Sequence, residues 1–246
     1  MPLTHAQRKS IVALHRKKER LRERKFLVEG VKGVADLLAS DWQVAQLVAT
    51  PAWQAPDHPD LPPVLEVSQD ELQRVSALDT AQQVLAVVHM PGESVESDTV
   101  YHGGRVLALD DIQDPGNLGT LLRLADWFAL DALVCSPGTV DRFNPKVVQA
   151  SMGSLFRVRV QTASLPEFLR NLPPDTWAAG AFLKGDNLYK TPLPEQGVLV
   201  LGNESQGIRP ETEARLPLRI HIPRRGQAES LNVATAAAIF CSEWSR

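Results

Sequence analysis

Three stretches in the second half of the chain hold residue types that could do chemistry: Asn117-Leu-Gly-Thr-Leu-Leu-Arg123, Leu201-Gly-Asn-Glu-Ser-Gln-Gly207 and Ile222-Pro-Arg-Arg-Gly-Gln-Ala-Glu-Ser-Leu-Asn232. Each joins small, backbone-exposing residues to one or two polar side chains, and each falls where an apolar, strand-like run ends. In an open α/β sheet that edge is where ligands bind. In the first stretch Pro115-Gly116 forces a turn and Gly119 permits close backbone approach. The helix that follows offers free N–H groups and partial positive charge to an anion. Arg123 is expected near that helix end, where a guanidinium suits a phosphate or a developing oxyanion. In the second, Glu204 sits at the apex of a turn bounded by Gly202 and Gly207. A carboxylate there could orient Arg123 or accept a hydrogen bond from a substrate hydroxyl or amine. In the third, Ser230 and Asn232 stand at the start of an Ala-rich helix. Plainer roles stand beside these: Asn117 and Ser230 as helix caps, Arg123 and Glu204 as solvent-facing charges. The residues alone lead to a small-molecule pocket of main-chain loops with one arginine and one glutamate.

Other chemistries lack their patterns. No G-x-G-x-x-G follows a strand, no Walker A lysine motif occurs, and there is no G-x-S-x-G elbow. The histidines are scattered, and His221 falls in a core strand pattern, as a structural histidine would. Cys135 and Cys241 belong to no C-x-x-C and read as buried, reduced thiols, so neither a metal nor a disulfide framework is expected.

These loops need strands and helices to hold them. A polar helix is expected over 5–25, a strand over Phe26–Gly30 and a helix over Val31–Leu38. Strands follow at Val44–Ala49, Val64–Val67 and Val84–Val88. Ser68 caps a helix over Asp70–Val75, with Glu71 completing a capping box. Five prolines mark 51–63 as a loop. The polar run Pro91–Gly104 reads as a boundary, giving an N-terminal domain over 1–92, a linker over 93–104 and a second domain over 105–246. In that second domain strands are expected at Arg105–Asp110, Ala132–Cys135, Leu155–Val160, Thr176–Leu183, Val198–Leu201 and Leu218–Ile222. Helices are expected around Leu121–Phe128, from Pro145, over Leu165–Leu172 and over Glu229–Trp244. Such alternation implies an α/β domain with a mainly parallel sheet covered on both faces.

With 246 residues, 43% hydrophobic and 22% charged, the chain has the composition of a globular protein. The first residues are polar and basic, without the pattern of a signal peptide, and no apolar run is long enough to span a bilayer. The expected compartment is the cytoplasm, with no membrane partner. The net charge of −3 hides an asymmetry. Between Arg8 and Lys25 nine basic residues face only Glu19 and Glu23, a local excess of seven that leaves about −10 for the remainder. A cationic segment on an acidic body is a candidate footprint for a polyanion; a solvated surface helix is the other reading.

Taken together, the three motifs resemble those of the SpoU/TrmH branch of the SPOUT methyltransferases, which methylate RNA 2′-hydroxyls with S-adenosylmethionine. The family pattern N-x-G-x-x-x-R is matched by Asn117, Gly119 and Arg123. Its Leu-Gly-x-Glu turn is matched by Leu201, Gly202 and Glu204. Its Ile-Pro loop and Ser-Leu-Asn are matched by Ile222, Pro223, Ser230, Leu231 and Asn232. Ser205 departs from the glycine many members carry. The match covers about 105–246, while Phe26-Leu-Val-Glu-Gly30 and the helix after it resemble the family's N-terminal, ribosomal-protein-like RNA-binding module. The resemblance implies a SPOUT domain with a deep trefoil knot and a homodimer formed through it. It also implies a cofactor held by main chain at Leu201, Gly202, Ile222, Leu231 and Asn232. Arg123 would act at the 2′-oxygen, with Glu204, Asn117, Ser230 and Asn232 as the other catalytic-site residues. Arg16, Lys17, Lys18, Arg22 and Arg24 would grip RNA, ribosomal or transfer, and no metal is implied. An inactive RNA-binding relative and a SPOUT base methyltransferase are the alternatives.

Overall fold

The computed structural model describes residues 3–58, 61–92, 101 and 103–246. Most of the segment read as a linker, 93–100 and 102, therefore lies outside the described residues. The chain divides into two compact units, one of residues 1–92 with 141–157 and one of residues 93–140 with 158–246.

In the first unit α1 (His5–Ala13) and α2 (Lys17–Glu23) precede β1 (Lys25–Glu29) and α3 (Val31–Leu38). Then come β2 (Val44–Ala49), β3 (Val64–Glu66), α4 (Gln69–Val75) and β4 (Val84–His89). The sheet order is β1-β4-β2-β3, antiparallel except for the β2–β3 pair. The single helix expected over 5–25 is thus two. Arg20 shows why: its Nη1 donates to the carbonyls of Leu14 and His15, which close α1. Those carbonyls have no partner inside the helix, so a side chain that folds back onto them favours a break there. The capping box is half made. Ser68 accepts the Glu71 N–H, but the Glu71 carboxylate takes the N–H of Leu3 instead of returning to the cap.

Segment 141–157 belongs to this same unit. It carries α6 (Pro145–Ser151), which packs on β1. Phe143 and Phe156 join Phe26 and Trp42 in an aromatic cluster, with Phe26–Phe143 centroids 4.8 Å apart and Trp42–Phe156 centroids 5.6 Å apart. This explains a misread strand. Leu155–Val160 alternates as a strand would, yet Ser154–Phe156 is a single 3-10 turn, and β7 runs only Val160–Thr162. The apolar residues serve two cores: Leu155 and Phe156 belong to the first unit, Val160 to the second.

The second unit is a six-stranded sheet built from β5 (Arg105–Asp110), β6 (Ala132–Cys135), β7, β8 (Ala178–Asn187), β9 (Gly197–Gly202) and β10 (Leu218–His221). The order is β10-β8-β9-β5-β6-β7 and every pair is parallel. All strand C-termini therefore share one edge. The chain starts in the middle at β5, moves outward through β6 and β7, then returns to the far side of β5, so the order reverses at the β5–β9 pair. Such a reversal opens a crevice at the strand C-termini. α5 (Pro115–Trp127), α7 (Leu165–Arg170), α8 (Pro210–Glu213) and α9 (Val233–Trp244) complete the unit, with α5 packed on α9. The short α8 follows the second motif and was not anticipated. The closing helix starts at Val233, four residues later than expected, because Asn232 caps it.

Candidate active site

The three motifs leave the sheet at β5, β9 and β10, at the common C-terminal edge. Asp110 and Gly202 end the two central strands side by side in register. Asp114 then caps α5, its carboxylate accepting the Asn117 N–H at 2.8 Å. Asn117 is therefore not the cap; it is the third residue of the helix, with its side chain left for other work.

That side chain joins the motifs. Asn117 Nδ2 donates to Glu204 Oε1 at 2.6 Å, and Asn117 Oδ1 accepts from Asn232 Nδ2 at 2.9 Å. Asn232 Oδ1 in turn accepts the N–H groups of Ala234 and Thr235, at the start of α9. The direction of the chain is forced. Helix N–H groups can only donate, so Asn232 must present its oxygen to them and its NH2 to Asn117. Asn117 then has only its NH2 left for Glu204, and an ionised carboxylate can only accept. A line of aligned amide dipoles thus runs from the positive end of a helix to one oxygen of an exposed carboxylate. No other hydrogen bond occupies Glu204 among the described residues, so its second oxygen can receive a ligand hydroxyl.

The turn that carries Glu204 is closed by paired backbone bonds between Asn203 and Gly207, both 2.9 Å. Gly202 is obligatory: a Cβ there would stand 2.2 Å from Gly207 C and Ile208 N. Leu201 is 1% exposed and contributes its side chain to the core, so only its main chain faces the loop. From Ile222 to Leu231 the only hydrogen bond to another described residue runs from Arg224 Nη1 to Ala228 O, at 3.3 Å. The remaining N–H and C=O groups of this loop are unspent. Leu231 is 48% exposed beside them, and Ser230 is exposed with no hydrogen bond to another described residue. Free main-chain donors and acceptors next to an apolar side chain fit the edge and face of a purine-bearing cofactor.

Arg123 is not brought into this cluster. It is the ninth residue of α5, exposed, and makes no bond with any described residue. Six residues from Asn117 place it ~9 Å along the helix and ~120° around it. Of the two uses open to Glu204, orienting Arg123 or accepting from a substrate, the first is not seen: Glu204 is held by Asn117 instead. Arg123 instead shares a helix face with Trp127, four residues on, which is 83% exposed. In the first unit Arg16, Lys17 and Lys18 are exposed and unpaired among the described residues. Arg22 is engaged by Glu19 and Glu23, and Arg24 donates to Pro91 O.

Sequence reasoning missed Asn203, Asp110 and Arg209. Arg209 donates from its backbone N and from Nε to the two oxygens of Asp110, which is fully buried. An Asn directly after Gly in a tight turn was the available signal for Asn203. Neither thiol offers a nucleophile: both are buried, and burial pushes the Cys241 thiol up to about 12, outweighing the favourable charge of Arg105. Among the described residues no cluster of His, Cys, Asp or Glu could hold a metal, and no helix is long and apolar enough to cross a membrane. A cavity of about 330 Å³ lined by Tyr101, Asp131, Arg159 and Gln161 holds none of the motif residues. It opens at the N-terminal starts of β5 and β6.

An all-parallel sheet whose central strand ends carry main-chain loops, cross-linked by amides to one carboxylate, defines an α/β domain built to seat a small organic ligand beside a polar reaction centre. Comparison with known proteins makes the assignment specific. The SpoU rRNA Methylase family matches residues 104–242, and the MRM3-like substrate binding domain matches 6–86. The chain belongs to the SpoU rRNA methylase family. It is 37% identical to the 23S rRNA (guanosine(2553)-2′-O)-methyltransferase RlmP of Bacillus subtilis, over 92% of this chain and 90% of that protein. A TrmH-family protein from Porphyromonas gingivalis superposes with a TM-score of 0.85 at 40% identity, over 99% of this chain and 98% of that one. An AdoMet-bound rRNA methyltransferase from Sinorhizobium meliloti gives 0.85 at 29% identity, covering 99% and 95%.

Proposed function

We propose that this protein transfers a methyl group from S-adenosylmethionine to a ribose 2′-hydroxyl of ribosomal RNA, in the cytoplasm. The observation that carries this is the Glu204–Asn117–Asn232 chain, which gathers all three motifs at the edge where the sheet order reverses. The B. subtilis relative is named for 2′-O-methylation of 23S rRNA, which favours ribosomal over transfer RNA and ribose over base. Main chain at Leu201, Gly202, Ile222, Leu231 and Asn232 would hold the cofactor. When bound, S-adenosylmethionine supplies an electrophilic methyl, whose carbon–sulfur bond breaks as the carbon–oxygen bond forms, with the electron pair staying on sulfur. The residues of this chain orient the hydroxyl and carry the charge. Glu204 offers its free oxygen to the ribose. Arg123 stabilises the negative charge that develops on the 2′-oxygen as its proton leaves to solvent. A guanidinium stays protonated in proteins, so charge stabilisation, not proton abstraction, is its part.

Arg123 cannot reach this work from its own helix face without bending back around α5. The exposed Trp127 beside Arg123 is an apolar surface a second copy could cover, and a homodimer through the second unit that also engages the loops would bring one chain's arginine to the other's site. Trefoil threading of the C-terminal loops belongs to the same proposal and is supported by family membership. Arg16, Lys17 and Lys18 would hold RNA phosphates, with Arg22 and Arg24 beside them. The test is to incubate the protein with isotope-labelled S-adenosylmethionine and rRNA from cells lacking the gene, then digest to nucleosides for mass spectrometry. Labelled 2′-O-methylribose is expected; a labelled base, or no label in RNA, overturns the proposal.

A further inference from the structure

Both partners of the 2.6 Å Asn117–Glu204 bond hang from the same two residues, Asp110 and Asp111, at the exit of β5. On one side the chain runs from Asp111 through Asp114, the cap of α5, to Asn117. Asp111 adopts a left-handed backbone conformation, φ 61°, which turns the strand toward the helix. Aspartate tolerates that region better than most residues. Asp111 is fixed there by its N–H to Ser136 Oγ at 2.8 Å and by Gln113 Nε2 on its carboxylate at 3.0 Å. On the other side stands the Glu204 loop. Its far end is clamped by Arg209 on Asp110. Its near end is held by Asn203, whose Nδ2 donates to the Asp111 carbonyl at 2.8 Å. The Oδ1 of the same amide accepts from Ser205 and Gln206 N–H, at 2.8 and 3.1 Å, which shapes the turn itself.

We propose that Asn203 is a positioning residue for methyl transfer: by tying the Glu204 loop to the Asp111 carbonyl, it sets where Glu204 stands against Asn117. The assignment rests on the function proposed above. It divides the two ends of one amide. The oxygen builds the turn, and the NH2 ties the near end of that turn to Asp111, from which the chain runs on to α5. Misplacing a reacting group by ~1 Å costs on the order of a hundredfold in rate. Glu204, at the tip of an exposed loop, is the member of the trio with no other anchor.

The substitution Asn203→Asp separates the two ends. It changes one atom, keeps an oxygen for the Ser205 and Gln206 N–H groups, and at neutral pH removes the donor to Asp111. At pH 8 the turnover of N203D is expected to fall ~10- to 100-fold, with the S-adenosylmethionine Kd by calorimetry and the KM for RNA each within ~3-fold of wild type. In a Glu204→Ala background the same substitution should change turnover less than ~2-fold, because a residue acting through Glu204 has nothing left to position. Turnover of N203D within ~2-fold of wild type overturns the proposal. So does an equal loss in the E204A background. Failure of the wild-type protein to methylate RNA would instead overturn the proposed function, which keeps the two apart.

Discussion

Removing the carboxylate of Asp141 should destabilise the first unit more than any surface change could. Arg20 and Asp141 are 2% and 9% exposed at their side chains. Arg20 Nε and Nη2 reach the same carboxylate oxygen at 3.0 and 2.6 Å, while Nη1 holds the carbonyls of Leu14 and His15. At 2.6 Å and an effective dielectric near 20 the attraction is about 6 kcal/mol, most of it spent on desolvating both ions. The substitution Asp141→Ala leaves the guanidinium buried without its anion, which costs about 3–5 kcal/mol. The paired substitution Arg20→Met with Asp141→Leu removes both charges. It should cost only about 1–3 kcal/mol, because the closing carbonyls of α1 still lose their donor. Since the two units need not unfold together, the readout should be local: native-state hydrogen exchange at Phe26, Leu27 and Val28 of β1. Their exchange should accelerate by at least ~100-fold in D141A, less in the double variant, and to much the same extent in high salt, since burial limits screening. A loss under about 1 kcal/mol in D141A, or a double variant as unstable as D141A, would refute the treatment of this pair as a buried ion pair that fixes the break between α1 and α2.

Arg123→Ala should leave melting within about 0.5 kcal/mol of wild type, since the side chain is exposed and makes no hydrogen bond or ion pair with any described residue. Its methyl transfer should fall ~100- to 1000-fold with cofactor binding nearly unchanged, checked by calorimetry beside a methyl-transfer assay. If the proposed homodimer forms over this face, Trp127→Glu should shift it toward monomer in analytical ultracentrifugation and lower turnover with it. Gly202→Ala forces a backbone clash and should cost about 1–3 kcal/mol together with a loss of cofactor affinity. Lys17→Ala with Lys18→Ala should raise the KM for RNA and flatten its dependence on log salt by about 1.5 units, with turnover at saturation retained.

The alternation of apolar runs was enough to read the second unit's sheet, because a fully buried parallel strand shows itself as four to six consecutive apolar residues, as in Val198-Leu-Val-Leu201. It failed where one run serves two cores. Leu155-Phe-Arg-Val-Arg-Val160 has strand periodicity, yet its first two apolar residues pack in one unit and its last pairs in the other. Tertiary contact overrode local pattern there. Arg20 is the reverse case. Counted among the nine basic residues of the cationic segment, it is 2% exposed, and nothing local in the sequence marks Asp141, 121 residues away, as its partner.

The structure joins three positions that the sequence singled out, but their contacts were not legible. Asn117, Glu204 and Asn232 stood out because each lies in a stretch of small and polar residues that follows an apolar, strand-like run. Which of them touch did not, because contact depends on the rotation of each helix about its axis. A start at Pro115 puts Asn117 on the first turn and turns Arg123 ~120° away from it. Placing the helix start nearer Arg123, as the Leu121–Phe128 spacing suggested, brings Arg123 to Glu204 instead. That displacement of one helix start decides whether one chain can assemble the whole site. With the observed start, a protomer presents its loops on one face and its arginine on another. An activity that needs both must either bend Arg123 around α5 or recruit a second protomer. Heterodimers mixing Arg123→Ala and Glu204→Ala subunits decide between these. If the arginine acts across the interface, one of the two sites in each mixed dimer carries neither lesion, so turnover should recover to about half of wild type, whereas an arginine acting within its own chain leaves every site damaged and recovers nothing.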